Sequence, residues 1–252
     1  MDARRRIVIV GATSALAGRC ARLWLAQGPA DFVLVGRDAE KLERVAQDLR
    51  VRRPGTDVRC IATDMQDPAA IRAVPDQIAA GGAVDVALVA HGLLPDQNAC
   101  QGDLSRCREA LLVNGVSPAL FAEALAGHME RAGRGRLGLI GSVAGDRGRK
   151  TNYVYGAGKG LVSRYAQGLQ HRLAGTGVRV TLILPGPTAT PMTAHLPGAK
   201  GAPPLADADA VARAIVAAME RGAPVCYAPA KWALIMLVLR HLPRVLFHKL
   251  NI

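Results

Sequence analysis

The chain has 252 residues, 50% hydrophobic and 21% charged, which suits a globular protein with a sizeable core and excludes a disordered one. Three Phe, two Trp and four Tyr are too few for a module that stacks bases on aromatic platforms. Five cysteines without a CxxC pair fit neither a disulfide framework nor a zinc site, and a formal charge of +12 attracts polyanions without saying which.

The first residues, Met1-Asp-Ala-Arg-Arg-Arg and then Ile7-Val-Ile-Val10, imitate a signal peptide, with Ala15-Leu-Ala17 at a cleavage position. Gly11 and Thr13-Ser14 break that apolar run, however, and Arg19 and Arg22 follow at once. A strand entering a glycine turn and a helix accounts for the same residues, so a cytoplasmic protein with reduced thiols is expected. No run of about eighteen apolar residues suggests a bilayer span.

Short aliphatic runs at 7–10, 32–35, 58–62, 84–89, 137–140, 178–184 and 225–227 read as strands buried on both faces. Amphipathic stretches at 15–27, 38–51, 67–80, 103–131, 153–174 and 207–221 read as helices. Asp38, Asp67 and Asp207 stand at N-cap positions, and Gly175, Gly177 and Gly222 follow helix ends. The alternation predicts an α/β fold: one doubly wound, Rossmann-type parallel sheet of about seven strands with helices on both faces. Residues 1–230 form the dinucleotide-binding unit and 231–252 a tail of the same domain. The Pro- and Gly-rich segment 191–206 has the length and place of a lid.

After the first strand, Gly11-Ala-Thr-Ser-Ala-Leu-Ala-Gly18 runs straight into a helix. A tight turn there directs free N–H groups and a positive dipole end at a phosphate, and the hydroxyls of Thr13 and Ser14 add donors. The second strand ends in Val35-Gly36-Arg37-Asp38. An acidic residue in the place of Gly36 would accept from the ribose hydroxyls of NAD; Arg37 instead suits the 2′-phosphate of NADP, with NAD(H) as the other option.

Tyr155-Gly-Ala-Gly-Lys159 sets a phenol and an ammonium one helical turn apart. A cation nearby lowers the phenol pKa, and a phenol so tuned can exchange a proton with a developing alkoxide. Ser142, thirteen residues earlier at a strand tip, can hold a carbonyl oxygen. Asn114 interrupts an apolar helix, and a water chain to Lys159 would satisfy its amide.

In this order Asn114, Ser142, Tyr155 and Lys159 strongly resemble the catalytic tetrad of the short-chain dehydrogenases/reductases, and residues 6–227 carry that resemblance. The turn is similar to that family's GxxxGxG loop, with Ala15 and Ala17 replacing glycines. Ala90-His91-Gly92 stands where the family has Asn-Ala-Gly. The resemblance implies that Gly11, Thr13, Ser14 and Leu16 meet the cofactor phosphates and Asp64 the adenine edge. It also implies that Pro185, Gly186, Thr188 and Thr190, a PGxxxT segment, meet the nicotinamide carboxamide, beside Tyr155 and Lys159.

Residues 84–94, 152–156 and 238–250 resemble those members of the family that reduce a polyprenyl-phosphate-linked keto-pentose to the arabinose form. The resemblance implies a lipid-linked keto-sugar substrate and a flavoprotein oxidase partner that makes the ketone. Arg147, Arg149 and Lys150 are the candidate clamp for the lipid phosphate, or else a solvated charged face. The apolar stretch 232–242 and the basic residues after Pro243 suit peripheral contact with the inner membrane through 232–252, or packing on the protein's own sheet or a second copy. A homo-oligomer is expected; nucleic acid is not, since the charge is dispersed and no reader motif is present. Reduction of another lipophilic or acyl-carrier-linked ketone, and cofactor sensing without catalysis, remain as alternatives.

Overall fold

Strand runs rich in Val, Ile and Leu have no polar face to turn outward, so they form a sheet that must be covered on both sides. The computed structural model describes residues 4–79, 81–194 and 204–250. In it β1 (Arg5–Val10), β2 (Ala30–Gly36), β3 (Val58–Ala62), β4 (Val86–Val89), β5 (Gly135–Ile140), β6 (Val178–Pro185) and β7 (Val225–Ala228) form one parallel sheet in the order 3-2-1-4-5-6-7. The order reverses between β1 and β4, paired from Ile7↔Val86 to Val10↔Val89, and this switch point opens a crevice beyond the carboxyl ends of the strands.

The pleat divides the core. Ile7 and Ile9 face the layer of α1 (Ala15–Gln27), α2 (Ala39–Arg52) and α8 (Ala208–Arg221), while Val8 and Val10 face α3 (Pro68–Ala79), α6 (Ser117–Ala132) and α7 (Tyr153–Arg172). All four are at most 1% exposed, and each such side chain contributes about 1.5–3 kcal/mol when fully buried. Asp38, Asp67 and Asp207 cap as the sequence predicts, accepting from the N–H of Lys41 at 3.0 Å, Ala70 at 3.0 Å and Ala210 at 2.9 Å. Gly222 ends α8 in the left-handed region, at φ +65°.

The stretch read as one helix over 103–131 is broken instead. A separate α4 (Gln97–Gly102) precedes it, and Asp96 and Asp103 each cap a new start, α4 and α5 (Leu104–Leu111). A π turn, Leu112–Val116, then leads into α6. The extra residue of that turn is invisible to a 3.6-residue period. By length and composition Leu104–Ala132 could cross a bilayer, contrary to the expectation of no such run; its mean hydropathy reaches 1.4, but its most apolar stretch is 61% buried inside the fold. It is a core segment.

The tail folds as α9 (Lys231–His241) and the short α10 (Arg244–Phe247), with Pro243 between them. Trp232 and Met236, four residues apart, are buried against the β7 side of the core, while Leu234, Leu237 and Val238 stay exposed. The tail therefore packs on its own sheet by one face and leaves the other bare. Of the segment read as a lid, 195–203 lies outside the described residues; Pro191–Thr193 forms a 3₁₀ turn, and a bridge between Thr188 and Ala206 joins the base of the loop.

Candidate active site

A cavity of about 1110 Å³ occupies the crevice beyond the strand ends and collects most of the residues singled out above. Its floor on one side is the turn after β1. Gly11 sits there at φ +77°, and a Cβ on it would come within 2.6 Å of the His91 backbone nitrogen, so both conformation and space demand glycine. Ser14 caps α1 in an extended conformation without turning its hydroxyl back onto the helix, which leaves the hydroxyl and the first N–H groups of α1 for a phosphate. Thr13, Ser14 and Leu16 line the cavity, as does Ala15, which needs no positive φ. This cradle fits a dinucleotide pyrophosphate.

Arg37 is exposed at the rim beyond β2, and Asp64 lines the same end of the cavity beyond β3. Asp38 is committed elsewhere: it caps α2 and pairs with Lys41 Nζ at 3.0 Å. No carboxylate therefore takes the place of Gly36, where one would read a ribose diol. At the other end Pro185, Gly186, Thr188 and Thr190 line the wall, and the Thr188 hydroxyl donates to the Gly186 carbonyl at 2.8 Å.

The chemical end is built from the tip of β5 and the first turn of α7. Ser142 follows β5 by two residues, and its Oγ accepts from the Ala144 N–H at 3.1 Å, which fixes the rotamer. Tyr155 and Lys159 both line the cavity. Lys159 Nζ donates to the Ile140 carbonyl at 2.9 Å and lies 5.9 Å from the centre of the Tyr155 ring. Desolvation pulls the Lys159 ammonium down to about 8.

The expected effect of Lys159 on Tyr155 needs correction. Burial raises the Tyr155 phenol above its usual 10, and what opposes the rise is a hydrogen bond with Ser142 and the charge of Arg149. Lys159 Nζ is held by the Ile140 carbonyl, 5.9 Å from the ring centre. A raised phenol is a protonated one, the state needed to donate.

Asn114 is fully buried in the π turn and bonded to backbone groups rather than directly to Lys159: Oδ1 accepts from the Leu93 N–H at 2.9 Å and Nδ2 donates to the Ala110 carbonyl at 2.9 Å. It stands beside Lys159 all the same, since a Cβ on Gly92 would meet Asn114 Oδ1 at 2.9 Å and Lys159 Nζ at 3.2 Å. Asn114 thus joins the loop after β4 to the catalytic end, and the π turn sets its reach.

The three basic residues after Ser142 do not act together. Arg149 enters the cavity beside Tyr155. Arg147 turns away, donating to the carbonyls of Leu239 and Leu242 at the end of α9 and lying 3.8 Å over the Phe247 ring. Lys150 is exposed and does not line the cavity. The carbonyls at the end of α9 attract Arg147 more than an open loop would.

His91 is the residue whose environment the sequence leaves unread. Its Nε2 is 2.8 Å from Ser117 Oγ, whose hydroxyl donates to the Met65 carbonyl, so the ring is neutral with Nε2–H donating and Nδ1 a free acceptor. Burial pushes its pKa down to about 3. Gln97, on the unforeseen α4, is the other: it is 8% exposed and faces the same cavity. The only sequence signal for it is Asp96, an N-cap before a polar stretch with no apolar period.

A parallel doubly wound sheet with a phosphate cradle at its switch point, and a Ser-Tyr-Lys group at the other end of one cavity, defines a nicotinamide-dependent oxidoreductase. Residues 5–200 match the short chain dehydrogenase family, and the chain belongs to it. It is 33% identical to an uncharacterized oxidoreductase of Streptomyces coelicolor, over 98% of this chain and 96% of that one. It is 35% identical to an uncharacterized oxidoreductase of Mycobacterium tuberculosis, over 97% and 96% of the two chains. A short-chain dehydrogenase from Sphingobium yanoikuyae, solved in complex with NADPH, has the same fold, with a TM-score of 0.81 at 24% identity over 98% of this chain and 96% of that one.

Proposed function

We propose that the protein is an NADPH-dependent reductase of the 2-keto group of a polyprenyl-phosphate-linked pentose, giving the arabinose configuration in the second half of a ribose epimerisation. The observation that carries this reading is one cavity, with the Tyr155 phenol and Ser142 at its chemical end and the guanidinium of Arg149 beside them. Bound nicotinamide supplies the hydride. Ser142 Oγ holds the ketone oxygen, and Tyr155 donates its proton to that oxygen as the carbon is reduced. The charge of Arg149 and the hydrogen bond with Ser142, which oppose the rise of the phenol, then stabilise the phenolate until a proton from solvent restores it.

Arg37 at the rim, with glycine where a ribose-reading carboxylate would stand, supports NADPH over NADH. So does the NADPH in the Sphingobium neighbour. The resemblance of 84–94, 152–156 and 238–250 to decaprenylphosphoryl-2-keto-ribose reductase supports the lipid-linked pentose. The exposed face of α9 and the basic residues after it support a peripheral seat on an anionic membrane, near the flavoprotein oxidase that makes the ketone.

A second reading is favoured by Trp232 and Met236, whose burial gives the tail a packing role without any membrane. On that reading the substrate is another lipophilic ketone. The test is NADPH oxidation with the polyprenyl-phosphate keto-pentose against an acetoacetyl thioester. A kcat/KM for the keto-pentose at least about tenfold higher supports the first reading, and the reverse order establishes the second.

A further inference from the structure

Buried polar atoms are nearly always hydrogen-bonded, so each exception asks for an explanation. Among the described residues, four such exceptions sit on residues lining the 1110 Å³ cavity: Gln97 Nε2, Arg149 Nε, Asn152 Oδ1 and His91 Nδ1. His91 belongs to the phosphate cradle, where its backbone packs against Gly11. The other three form a single local structure at the start of α7.

The chain explains how they are held. Gln97 Oε1 accepts from the Val154 N–H at 3.0 Å, which fixes the amide and leaves Nε2 a buried donor without a partner, on a residue that lines the cavity. Asn152 closes a turn onto the Arg149 carbonyl, its N–H donating at 3.2 Å, and precedes α7 at the cap position. An Asn there ordinarily accepts from its own helix; this one makes no such bond. The loop that carries Arg149 is anchored just before it. The Tyr227 hydroxyl donates to Asp146 at 2.7 Å, and Arg147 grips the end of α9. Tyr155 lies three residues beyond Asn152, on the same helical turn.

We propose that Gln97, Arg149 and Asn152 are the specificity-determining residues of this enzyme and that they recognise a ketone bearing neighbouring hydroxyls and an oxyanion. Gln97 Nε2 gives and Asn152 Oδ1 receives a hydrogen bond, which a hydroxyl matches because it does both. Arg149 only donates, and its guanidinium matches an acceptor-only phosphate or carboxylate oxygen. A plain lipophilic ketone would leave all three unpaired in a desolvated site, and a site built to bind hydroxyls discriminates strongly against such an analogue. This inference rests on the reductase reading and adds the substrate's polar chemistry to it. It requires no lipid.

The test is calorimetric titration of the NADP-loaded protein with D-ribulose 5-phosphate, which carries a ketone, adjacent hydroxyls and a phosphate. Wild type is expected to bind. Gln97→Glu, which keeps the acceptor for Val154 and replaces the donor, and Arg149→Lys, which loses Nε, are each expected to weaken binding about tenfold or more. Asn152→Ser, which keeps a helix-capping side chain, serves as a third arm if either variant fails to fold. NADP affinity, titrated in parallel, is expected to change by less than about threefold, whereas a merely structural role would weaken both ligands. No binding to wild type, or variants that bind as wild type does, overturns the inference. Neither result touches the reductase reading, which fails separately if Tyr155→Phe leaves NADPH oxidation intact.

Discussion

Lys159 Nζ lies 5.9 Å from the centre of the Tyr155 ring while donating to the Ile140 carbonyl at 2.9 Å, so the ammonium sits in a buried, backbone-held position. The residue is 3% exposed, and its pKa falls from 10.5 to about 8. Between those values the unfolded chain binds the proton more readily, so stability rises with pH there; below about 8 both states are charged and the cost is constant. That cost is about 3 kcal/mol. Lys159→Met removes it and leaves the Ile140 carbonyl without its donor, which costs about 1–2 kcal/mol. The variant is expected to be more stable by about 1–2 kcal/mol at pH 7 and to lose that advantage by pH 10, while its turnover collapses. Thermal unfolding at both pH values checks this.

The two ends of the phosphate turn answer differently to the same change. Gly11→Ala meets the positive φ and the 2.6 Å approach to His91, and is expected to cost about 2 kcal/mol or more and to abolish cofactor binding. Gly18 lies inside α1, and a methyl group added there would meet nothing within 4 Å, so Gly18→Ala is expected to stabilise by about 0.5–1 kcal/mol. Urea unfolding with NADPH titration separates the two cases.

The tail is a working part of the site wall. A methyl group on Gly186 would run into the Trp232 indole, so α9 backs the segment of Pro185, Gly186, Thr188 and Thr190 that lines one end of the cavity. Truncation after Tyr227, which would spare reduction if the tail were only an anchor, is instead expected to destabilise the protein by about 3–5 kcal/mol and to lower turnover of soluble ketones. Leu234→Asp with Val238→Asp, both on the exposed face, is expected to leave stability and turnover unchanged and to abolish sedimentation with anionic vesicles.

Arg37 lines the cavity rim without an acidic partner beside it, because Asp38 is engaged by Lys41, and we propose that it meets the cofactor 2′-phosphate. Arg37→Ala is expected to raise the KM for NADPH about tenfold and to change that for NADH little. Equal losses for both would show that Arg37 does not meet the 2′-phosphate.

The strands were legible because a run such as Ile7–Val10 is buried on both faces, and buried parallel strands leave a continuous aliphatic signature. The helix caps were legible because Asp38, Asp67 and Asp207 act locally. Residues 103–131 were misread because the π turn at Asn114 alters the helix by one residue without altering its apolar period. The gathering of Ser142, Tyr155 and Lys159 in one cavity, with Asn114 beside Lys159, followed from order and spacing. Its electrostatics did not, since the charge that acts on Tyr155 comes from Arg149, and only the turn before α7 decides which of three neighbouring basic residues enters the cavity. The tail's two-faced character was half visible: its apolarity was plain, but the burial of Trp232 and Met236 depends on where β7 ends.

The central claim is that Tyr155 donates the proton to a ketone oxygen held at Ser142. The most direct measurement is NADPH oxidation by wild type and Tyr155→Phe with one reducible ketone, alongside NADPH binding to each. Proton donation by Tyr155 predicts a fall in kcat of about 10²–10⁴ with NADPH affinity retained. A Tyr155→Phe enzyme that oxidises NADPH at the wild-type rate would contradict it.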